Sequence, residues 1–200
     1  MTRIVLVRHG ETVWHEENRY AGSSDVALTA NGIRQAERLA AWAADAGLAA
    51  VYSSDLKRAR ITAEHCARAA GLPPRADARL RELDFGDGEG LTRAEMRDRF
   101  PAALDAFLRT PASAPLPGGE DPAAAAARFT ACLDDLTRRH EGGRVLVVAH
   151  STAIRLALCG LLGLPLDGYR RLFPELRNCA RTEIRRDGAV TGLLELNAGG

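Results

Sequence analysis

The sequence lacks a long apolar run. Its longest charge-free apolar stretch, residues 156–166, has 11 residues and contains two glycines and a proline. A membrane-spanning helix needs about 20 apolar residues. The amino-terminal apolar run, residues 4–7, is shorter than the roughly 7–15 residues of a secretory signal core. We therefore expect no membrane association and no export.

The sequence also lacks an excess of charge of one sign, and it has almost no lysine. There are 27 Lys and Arg against 26 Asp and Glu, a formal net charge of +1, and Lys57 is the only lysine. Such a balance creates no global field towards nucleic acid or an anionic membrane, so we expect neither as a partner. Arginine suits bidentate capture of carboxylate or phosphate. A genome composition that also inflates alanine is the alternative explanation of the arginine bias.

Cysteine is scarce, and no metal-binding spacing is present. The four cysteines stand far apart without a C-x-x-C pair, which is typical of reduced, mostly buried thiols in a cytoplasmic protein. The histidines form no H-x-H, H-x-x-x-H or H-E-x-x-H pattern. Arginine beside the candidate histidines disfavours a cation, so we expect no metal and no cofactor.

Strand and helix signals alternate along the chain. TRIVLVR at residues 2–8 is a short β-branched run typical of a buried strand. The other predicted elements are a helix from N-cap Thr29 to Gly47, a strand over 48–52, a helix from the Ser53-Ser54-Asp55 cap to about 70, one or two helices over 91–109 broken at Pro101, a helix over 122–139, a strand over 144–149, a helix over 151–162, and strands near 180–186 and 189–196. A strand-helix alternation of this kind predicts a parallel sheet covered by helices.

These elements predict one α/β domain over residues 1–200. We expect a three-layer α/β/α sandwich whose central sheet is mostly parallel with an antiparallel edge strand. The antiparallel edge comes from the last two strands, because Asp187-Gly188 between them is a hairpin signal. Residues 84–120 are predicted to form a small cap that sets substrate specificity.

Charged and imidazole side chains follow the predicted strands. Arg8 and His9 end the first strand, His150 directly follows RVLVVA, and Arg58 stands in the first turn of the helix after the second strand. Ligands of open α/β sheets bind beyond the carboxyl ends of strands, where helix N-termini also offer free N–H groups. The sequence therefore predicts a pocket for a compact, doubly charged anion, with phosphate as the first choice.

Breaking a phosphate ester requires a nucleophile and a proton donor. A histidine held in one tautomer can attack phosphorus and form a phosphohistidine. The leaving alkoxide then needs a proton, and Glu82 in LRELDFG is the best-placed carboxylate, with Asp84 and Glu89 as rivals.

Several motifs in order resemble the histidine phosphatase superfamily, in the branch that contains the cofactor-dependent phosphoglycerate mutases. They are RHGET (8–12), LTANGIRQA (28–36), SSDLKRARITAE (53–64), LRELDFGDGEG (80–90), PGGE (117–120) and VLVVAHSTAIR (145–155). The resemblance implies that His9 is the phosphorylated nucleophile and Glu82 the proton donor. It implies that Arg8, Arg58 and His150 hold the phosphoryl oxygens.

Two positions depart from that pattern. His15 stands where many relatives have an asparagine that contacts phosphate, so it either replaces that contact or leaves the pocket. Ser151-Thr152 stands where relatives often have Gly-Gly, and Ser151 either caps the helix or donates to phosphate.

We therefore predict a phosphatase that hydrolyses a small phosphate monoester, as a monomer or homodimer. One alternative is a phosphoglycerate mutase, although the stretch after Glu82 lacks the ERHYG-type segment of mutases. The other is a non-catalytic module that binds phosphorylated ligands.

The predicted cap contains two sets of residues whose roles are open. Its arginines either meet a second acidic group of the substrate or face solvent; they are residues 93, 97, 99 and 109. Its phenylalanines either line the pocket or form the core of the cap; they are residues 85, 100 and 107.

Overall fold

A computed structural model describes residues 1–199 as a six-stranded sheet flanked by helices. The strands are β1 (Thr2–Arg8), β2 (Ala50–Ser53), β3 (Pro74–Ala76), β4 (Arg144–Ala149), β5 (Arg181–Asp187) and β6 (Val190–Ala198). The helices are α1 (Ala30–Asp45), α2 (Lys57–Ala69), α3 (Arg93–Arg99), α4 (Pro101–Arg109), α5 (Pro122–Arg139), α6 (Ser151–Leu161) and α7 (Tyr169–Leu172). Short 3₁₀ turns lie at 78–80, 86–88 and 166–168.

The sheet has the strand order β3-β2-β4-β1-β5-β6. The first four strands in this order are parallel to one another. At the other side of the sheet, β5 pairs antiparallel with β1, and β6 pairs antiparallel with β5. The predicted fold class is confirmed. Strand β3 and helix α7 were not predicted, because three exposed residues and a four-residue helix carry no periodic apolar pattern.

The two faces of the sheet bury alternate residues of the same strands. Ile4 and Leu6 of β1 pack into the layer that holds α5 and α6, whereas Val5 and Val7 pack into the layer of α1 and α2. This is the period of two expected of a strand buried on both faces. The helices on both sides make the three layers of the predicted sandwich.

Strands β1 and β4 are direct neighbours, and their pairing positions the site. Arg8 lies opposite Ala149 in the parallel register. The residues that follow, His9 and His150, therefore leave the sheet side by side, and their ring centroids are 5.1 Å apart.

Residues of the 84–120 segment share the core with the layer of α5 and α6. Phe107 is fully buried, Phe85 is nearly so, and Phe100 packs half-buried against the same cluster. Pro101 is the first residue of α4, so the predicted helix break at this position is confirmed. The role of the segment in specificity stays a prediction.

One helix cap was predicted correctly and one was not. Thr29 caps α1, because its Oγ1 accepts the N–H of Gly32 at 2.9 Å. The predicted Ser53-Ser54-Asp55 cap of α2 is wrong. Helix α2 begins at Lys57, and the carboxylate of Asp25, from a distant loop, accepts the Lys57 N–H at 2.8 Å. Ser54 is used elsewhere, as described below.

Two other features bear on the sequence-based expectations. Across residues 1–199, no helix is both long and apolar enough to span a bilayer. The four cysteines are buried and unpaired.

Candidate active site

A cavity of about 790 Å³ opens where β1 and β4 end. Five predicted site residues line it, and two lie beneath it. Those lining the cavity are Arg8, His9, His15, Glu82 and Ser151. Arg58 and His150 are fully buried. Both groups meet around His9.

The imidazole of His9 is held in a single tautomer. Its Nδ1 lies 2.7 Å from the carbonyl oxygen of Gly10, and since a carbonyl only accepts, Nδ1 carries the proton. Burial lowers the pKa of His9 well below its usual value, and the charges of Arg58 and Arg8 lower it further. His9 is therefore neutral near pH 7, with the lone pair on Nε2. This is the state that a nucleophilic histidine requires.

The main chain of His9 is fixed on several sides. Its N–H donates to Ala149 at 3.0 Å, and its carbonyl accepts from the Asn178 side chain at 2.7 Å. The next N–H, of Gly10, donates to Thr62 Oγ1 at 3.1 Å. A Cβ at Gly10 would lie 2.5 Å from the carbonyl oxygen of Gly32 in α1, so only glycine fits here.

Arg8 has unused donors at the cavity. Nη1 donates to the carbonyl of Leu176 at 3.1 Å, and Nη2 contacts Nε2 of His15. Nε is buried and has no partner within residues 1–199. Burial lowers the pKa of Arg8 to about 10, which leaves it cationic at neutral pH. An anion in the cavity would satisfy these buried donors.

His15 stays at the cavity wall and orients Arg8. An arginine only donates, so Nε2 of His15 accepts from Arg8, and Nδ1 lies 2.7 Å from Oγ1 and 3.0 Å from the main-chain nitrogen of Thr12. Burial and the neighbouring charge of Arg8 lower the pKa of His15 to about 4. A direct contact between His15 and phosphate stays a prediction.

Glu82 lies against the N-terminus of α6. Its Oε2 accepts the N–H of Thr152 at 2.9 Å, and its Oε1 accepts those of Ala153 at 2.7 Å and Leu83 at 2.8 Å. These bonds favour the carboxylate. Burial has the larger effect, so the pKa of Glu82 is raised above its usual value. A buried carboxyl group with a raised pKa suits proton donation.

The rival carboxylates have structural partners. Asp84 accepts the N–H of Gly86 at 2.8 Å. Glu89 accepts from Gly22 N–H at 2.7 Å and from the Ser24 hydroxyl at 2.6 Å. Neither lines the cavity, whereas Glu82 does.

Arg58 and His150 form one buried unit below His9. Nε of Arg58 donates to Nδ1 of His150 at 3.3 Å, and Nε2 of His150 lies 2.6 Å from Ser54 Oγ. The two Nη atoms of Arg58 donate to the carbonyls of residues 21, 22 and 24 at 2.6–3.3 Å. Burial and the charge of Arg58 lower the pKa of His150 well below its usual value. Most donors of this unit are thus engaged with protein, and direct contact with phosphoryl oxygens stays a prediction.

Ser151 is not a helix cap. The N-cap position of α6 is His150, without a side-chain capping bond, so the capping hypothesis for Ser151 is wrong. Ser151 Oγ instead accepts from Nη1 of Arg155. Because Oγ accepts there, its own hydrogen remains available to a ligand in the cavity.

Several lining residues were not predicted. They are Trp14, Asn18, Arg19, Tyr20, Arg155, Tyr169, Arg170 and residues 174–176. Arg155 ends the quoted motif of residues 145–155 but was given no role there. The others come from the loop after RHGET and from the segment around α7, which have no local chemical motif. Of the four cap arginines, Arg93 lines this cavity and the other three do not.

Comparisons with known proteins agree with this geometry. A family model described as histidine phosphatase superfamily (branch 1) matches residues 4–199. The probable phosphoglycerate mutase GpmB of Klebsiella pneumoniae (strain 342) is 38% identical over 184 residues, which cover 92% of this chain and 85% of that protein.

Solved structures are similar over nearly the whole chain. Bacillus stearothermophilus YhfR has a TM-score of 0.94 at 32% identity, covering 100% of this chain and 98% of that one. A mycobacterial glucosyl-3-phosphoglycerate phosphatase in complex with VO3 has a TM-score of 0.90 at 30% identity, covering 98% and 99%.

Proposed function

The chain belongs to the histidine phosphatase superfamily (branch 1), and from that premise we propose that it is a phosphomonoesterase acting on a small phosphorylated metabolite through a phosphohistidine at His9. The observation that carries the proposal is the neutral His9 ring, with Nδ1 bound to Gly10 and Glu82 lining the same cavity. A nucleophile and a proton donor thus share one chamber.

In the first step, Nε2 of His9 forms a bond to phosphorus while the bond from phosphorus to the ester oxygen breaks. The departing oxygen takes the proton of the Glu82 carboxyl group, and the alcohol leaves. The developing charge on the phosphoryl oxygens is stabilised by the free N–H groups of Arg8. Arg58 and His150 form a buried hydrogen-bonded pair beside His9, with 5.1 Å between the two imidazole centroids.

In the second step, water attacks phosphorus and the bond to Nε2 breaks. The Glu82 carboxylate takes the proton of the water, which restores the carboxyl group and releases inorganic phosphate. General acid–base help of this kind is typically worth about 10²–10⁴-fold.

A second candidate is phosphoglycerate mutase-type phosphoryl transfer, because a relative at 38% identity is named a probable mutase. In that case the phosphoryl group returns to an organic acceptor instead of water. The phosphatase name of a neighbour that covers 98% of this chain supports hydrolysis. Measuring free phosphate against isomerised phosphoglycerate separates the two activities.

The direct test is to trap the intermediate. The protein is mixed with a ³²P-labelled phosphate monoester and quenched within milliseconds, and the label is mapped by peptide analysis. We expect an acid-labile phosphohistidine at His9 and loss of turnover of 4-nitrophenyl phosphate in His9→Asn. His65→Asn, on the flank of α2 outside the cavity, is the matched control and retains turnover.

Two outcomes contradict the proposal. Label on another residue, or turnover that persists in His9→Asn, would remove His9 from the reaction. Vanadate binding without any turnover would favour the non-catalytic module.

A further inference from the structure

The cavity carries more positive charge than the phosphoryl group requires. Within residues 1–199, five arginines line it against two carboxylates. The arginines are Arg8, Arg19, Arg93, Arg155 and Arg170, and the carboxylates are Glu82 and Glu175. A substrate can be bound only by those arginines whose N–H groups are not already bonded to protein.

Two of the four arginines beyond Arg8 are already committed to protein. Arg19 pairs with Glu17 at 2.7 Å and with Glu95 at 2.8 Å. Arg155 donates to the carbonyls of Phe173 at 2.6 Å and Pro174 at 3.0 Å, and also to Ser151. These two side chains therefore build the wall and do not offer their full charge to a ligand.

Arg93 and Arg170 have no carboxylate partner among residues 1–199. Nε of Arg93 lies 3.4 Å from the hydroxyl of Tyr20, and Nε of Arg170 lies 3.1 Å from that of Tyr169. Each arginine is positioned by a neutral hydroxyl, and its two Nη atoms make no hydrogen bond within the described chain. Two planar cations with free Nη groups thus face one cavity.

An aromatic cluster connects the two arginines. Tyr20 packs edge-on against Phe85 at 4.9 Å, and Phe85 packs against Phe107 at 6.4 Å. Arg170 lies over the ring of Phe107 at 4.4 Å, and Arg93 contacts Tyr20 at the other side. Stacking holds the guanidinium of Arg170 in place, so little conformational freedom is lost when it binds an anion.

The cluster also adjoins the catalytic groups along the chain. Phe85 is three residues after Glu82, and both line the cavity. A substrate whose phosphoryl group lies at His9 would therefore pack its carbon chain along Tyr20 and Phe85.

We propose that the substrate carries a second anionic group, a carboxylate or a second phosphate, which Arg93 and Arg170 bind. This inference rests on the proposed phosphatase activity and names the class of its substrate. Free Nη pairs are suited to the two oxygens of a carboxylate or phosphate.

The test compares matched esters on the full-length chain. Propyl phosphate, 3-phosphooxypropanoate and propane-1,3-diyl bisphosphate share a three-carbon chain and differ in the second group. We expect kcat/KM for the carboxylate or the bisphosphate to exceed that for propyl phosphate by about tenfold or more, as charge-assisted hydrogen bonds allow. The compound with the larger ratio identifies the second group.

Variants then locate the effect. Arg93→Gln and Arg170→Gln should each reduce that ratio by about tenfold, since each removes one set of charged donors. Arg97 of α3 and Arg171 of α7 lie outside the cavity. Arg97→Gln and Arg171→Gln are therefore the controls and should keep the wild-type ratio. If Arg170→Gln disturbs folding because the stacked arginine is lost, Arg170→Lys can be used, since it keeps the positive charge. Arg93 is exposed, so Arg93→Gln tests the inference without this complication.

The outcomes are separable. A wild-type ratio near one, or a ratio that Arg97→Gln lowers as much as Arg93→Gln, would overturn the second-anion site while leaving the phosphatase intact. Absence of hydrolysis of all three esters and of 4-nitrophenyl phosphate would overturn the proposed function itself, and this inference with it.

Discussion

Nε of Arg58 donates to Nδ1 of His150 at 3.3 Å, which joins a residue of α2 to the residue that precedes α6. The same guanidinium holds the carbonyls of residues 21, 22 and 24. The imidazole is held from its other side by Ser54. The nucleophile therefore stands on a buried network that links two strand ends and a loop.

This contact predicts that Arg58 and His150 act as a unit. Arg58→Lys and His150→Gln should each lower kcat/KM by about 10²-fold, the loss expected when the reacting group is misplaced by about 1 Å. An ammonium cannot reach His150 and three carbonyls together. The double variant should lose much less than the product of the single losses, because the first change already disrupts the network.

A double-mutant cycle on 4-nitrophenyl phosphate measures the coupling. Arg60→Lys is the control, because Arg60 is an exposed residue of α2 that pairs with Glu64 at 3.7 Å. Strict multiplication of the two single losses would show that Arg58 and His150 act separately.

Glu82→Gln should discriminate between leaving groups. An alkoxide needs a proton to leave and a nitrophenolate does not, so we expect a loss of about 10²–10⁴-fold on propyl phosphate and a much smaller loss on 4-nitrophenyl phosphate. The ratio of kcat/KM values for the two esters is the measurement.

Glu89→Gln provides the comparison for Glu82. Glu89 holds the N–H of Gly22 and the hydroxyl of Ser24 outside the cavity, so its loss should weaken both activities by the same factor and lower the melting temperature. A leaving-group dependence in Glu89→Gln in place of Glu82→Gln would reassign the acid.

The pH profile of turnover should be bell-shaped, with an acid limb from His9 and an alkaline limb from Glu82. His9 must be neutral to attack, and its pKa lies well below 6.5, so activity should rise with pH in the acid range as His9 loses its proton. Glu82 must be protonated to donate, and its raised pKa makes activity fall as pH increases beyond that value. Profiles of kcat at saturation, measured with propyl phosphate because its alkoxide needs the proton, should lose the alkaline limb in Glu82→Gln. An unchanged alkaline limb in this variant would assign it to another group.

Stability should decrease as the pH falls below about 6.5. His9, His15 and His150 all have lowered pKa values in the folded protein, that of His15 being about 4. The unfolded chain therefore binds protons that the folded chain excludes, which costs at most about 1.4 kcal/mol per pH unit for each histidine. Glu82 has the opposite sign, because its raised pKa lets the folded chain hold a proton that the unfolded chain releases. Because three histidines destabilise the folded state as the pH falls and one glutamate stabilises it, the net effect is a loss of stability.

Urea unfolding at pH 7 and pH 5 measures this dependence. We expect a lower free energy of unfolding at pH 5 and a smaller difference in His15→Gln, which removes one of the titrating groups. A free energy that is equal or higher at pH 5 would contradict the assignment of neutral histidines to the folded state.

The sequence was sufficient to predict where the reacting groups meet. The buried runs of β1 and β4 end directly before His9 and His150, and parallel strands bring their carboxyl ends to one edge. Glu82 was placed near them through its loop and the family resemblance, and it lines the same cavity. Strand ends are local signals, which is why this part was predictable.

The sequence was not sufficient to predict which partner each side chain takes. Ser54 was expected to cap α2, but Asp25 does so from a loop 32 residues before Lys57, which leaves Ser54 to bind His150. Arg170 reaches the cavity only because α7 packs beside Phe107. Such pairings depend on packing between segments far apart in the chain, which no local pattern encodes.

The close approach of Gly10 to Gly32 has a consequence for natural and laboratory variation. A Cβ at Gly32 would lie 2.1 Å from the carbonyl oxygen of Glu11, which is closer still than the 2.5 Å between a Cβ at Gly10 and the carbonyl oxygen of Gly32. Backbone touches backbone here, so even an alanine, the mildest of replacements, must displace the peptide that carries the attacking ring. Tolerance to mutation around the nucleophile is thus set by two residues that have no functional group at all.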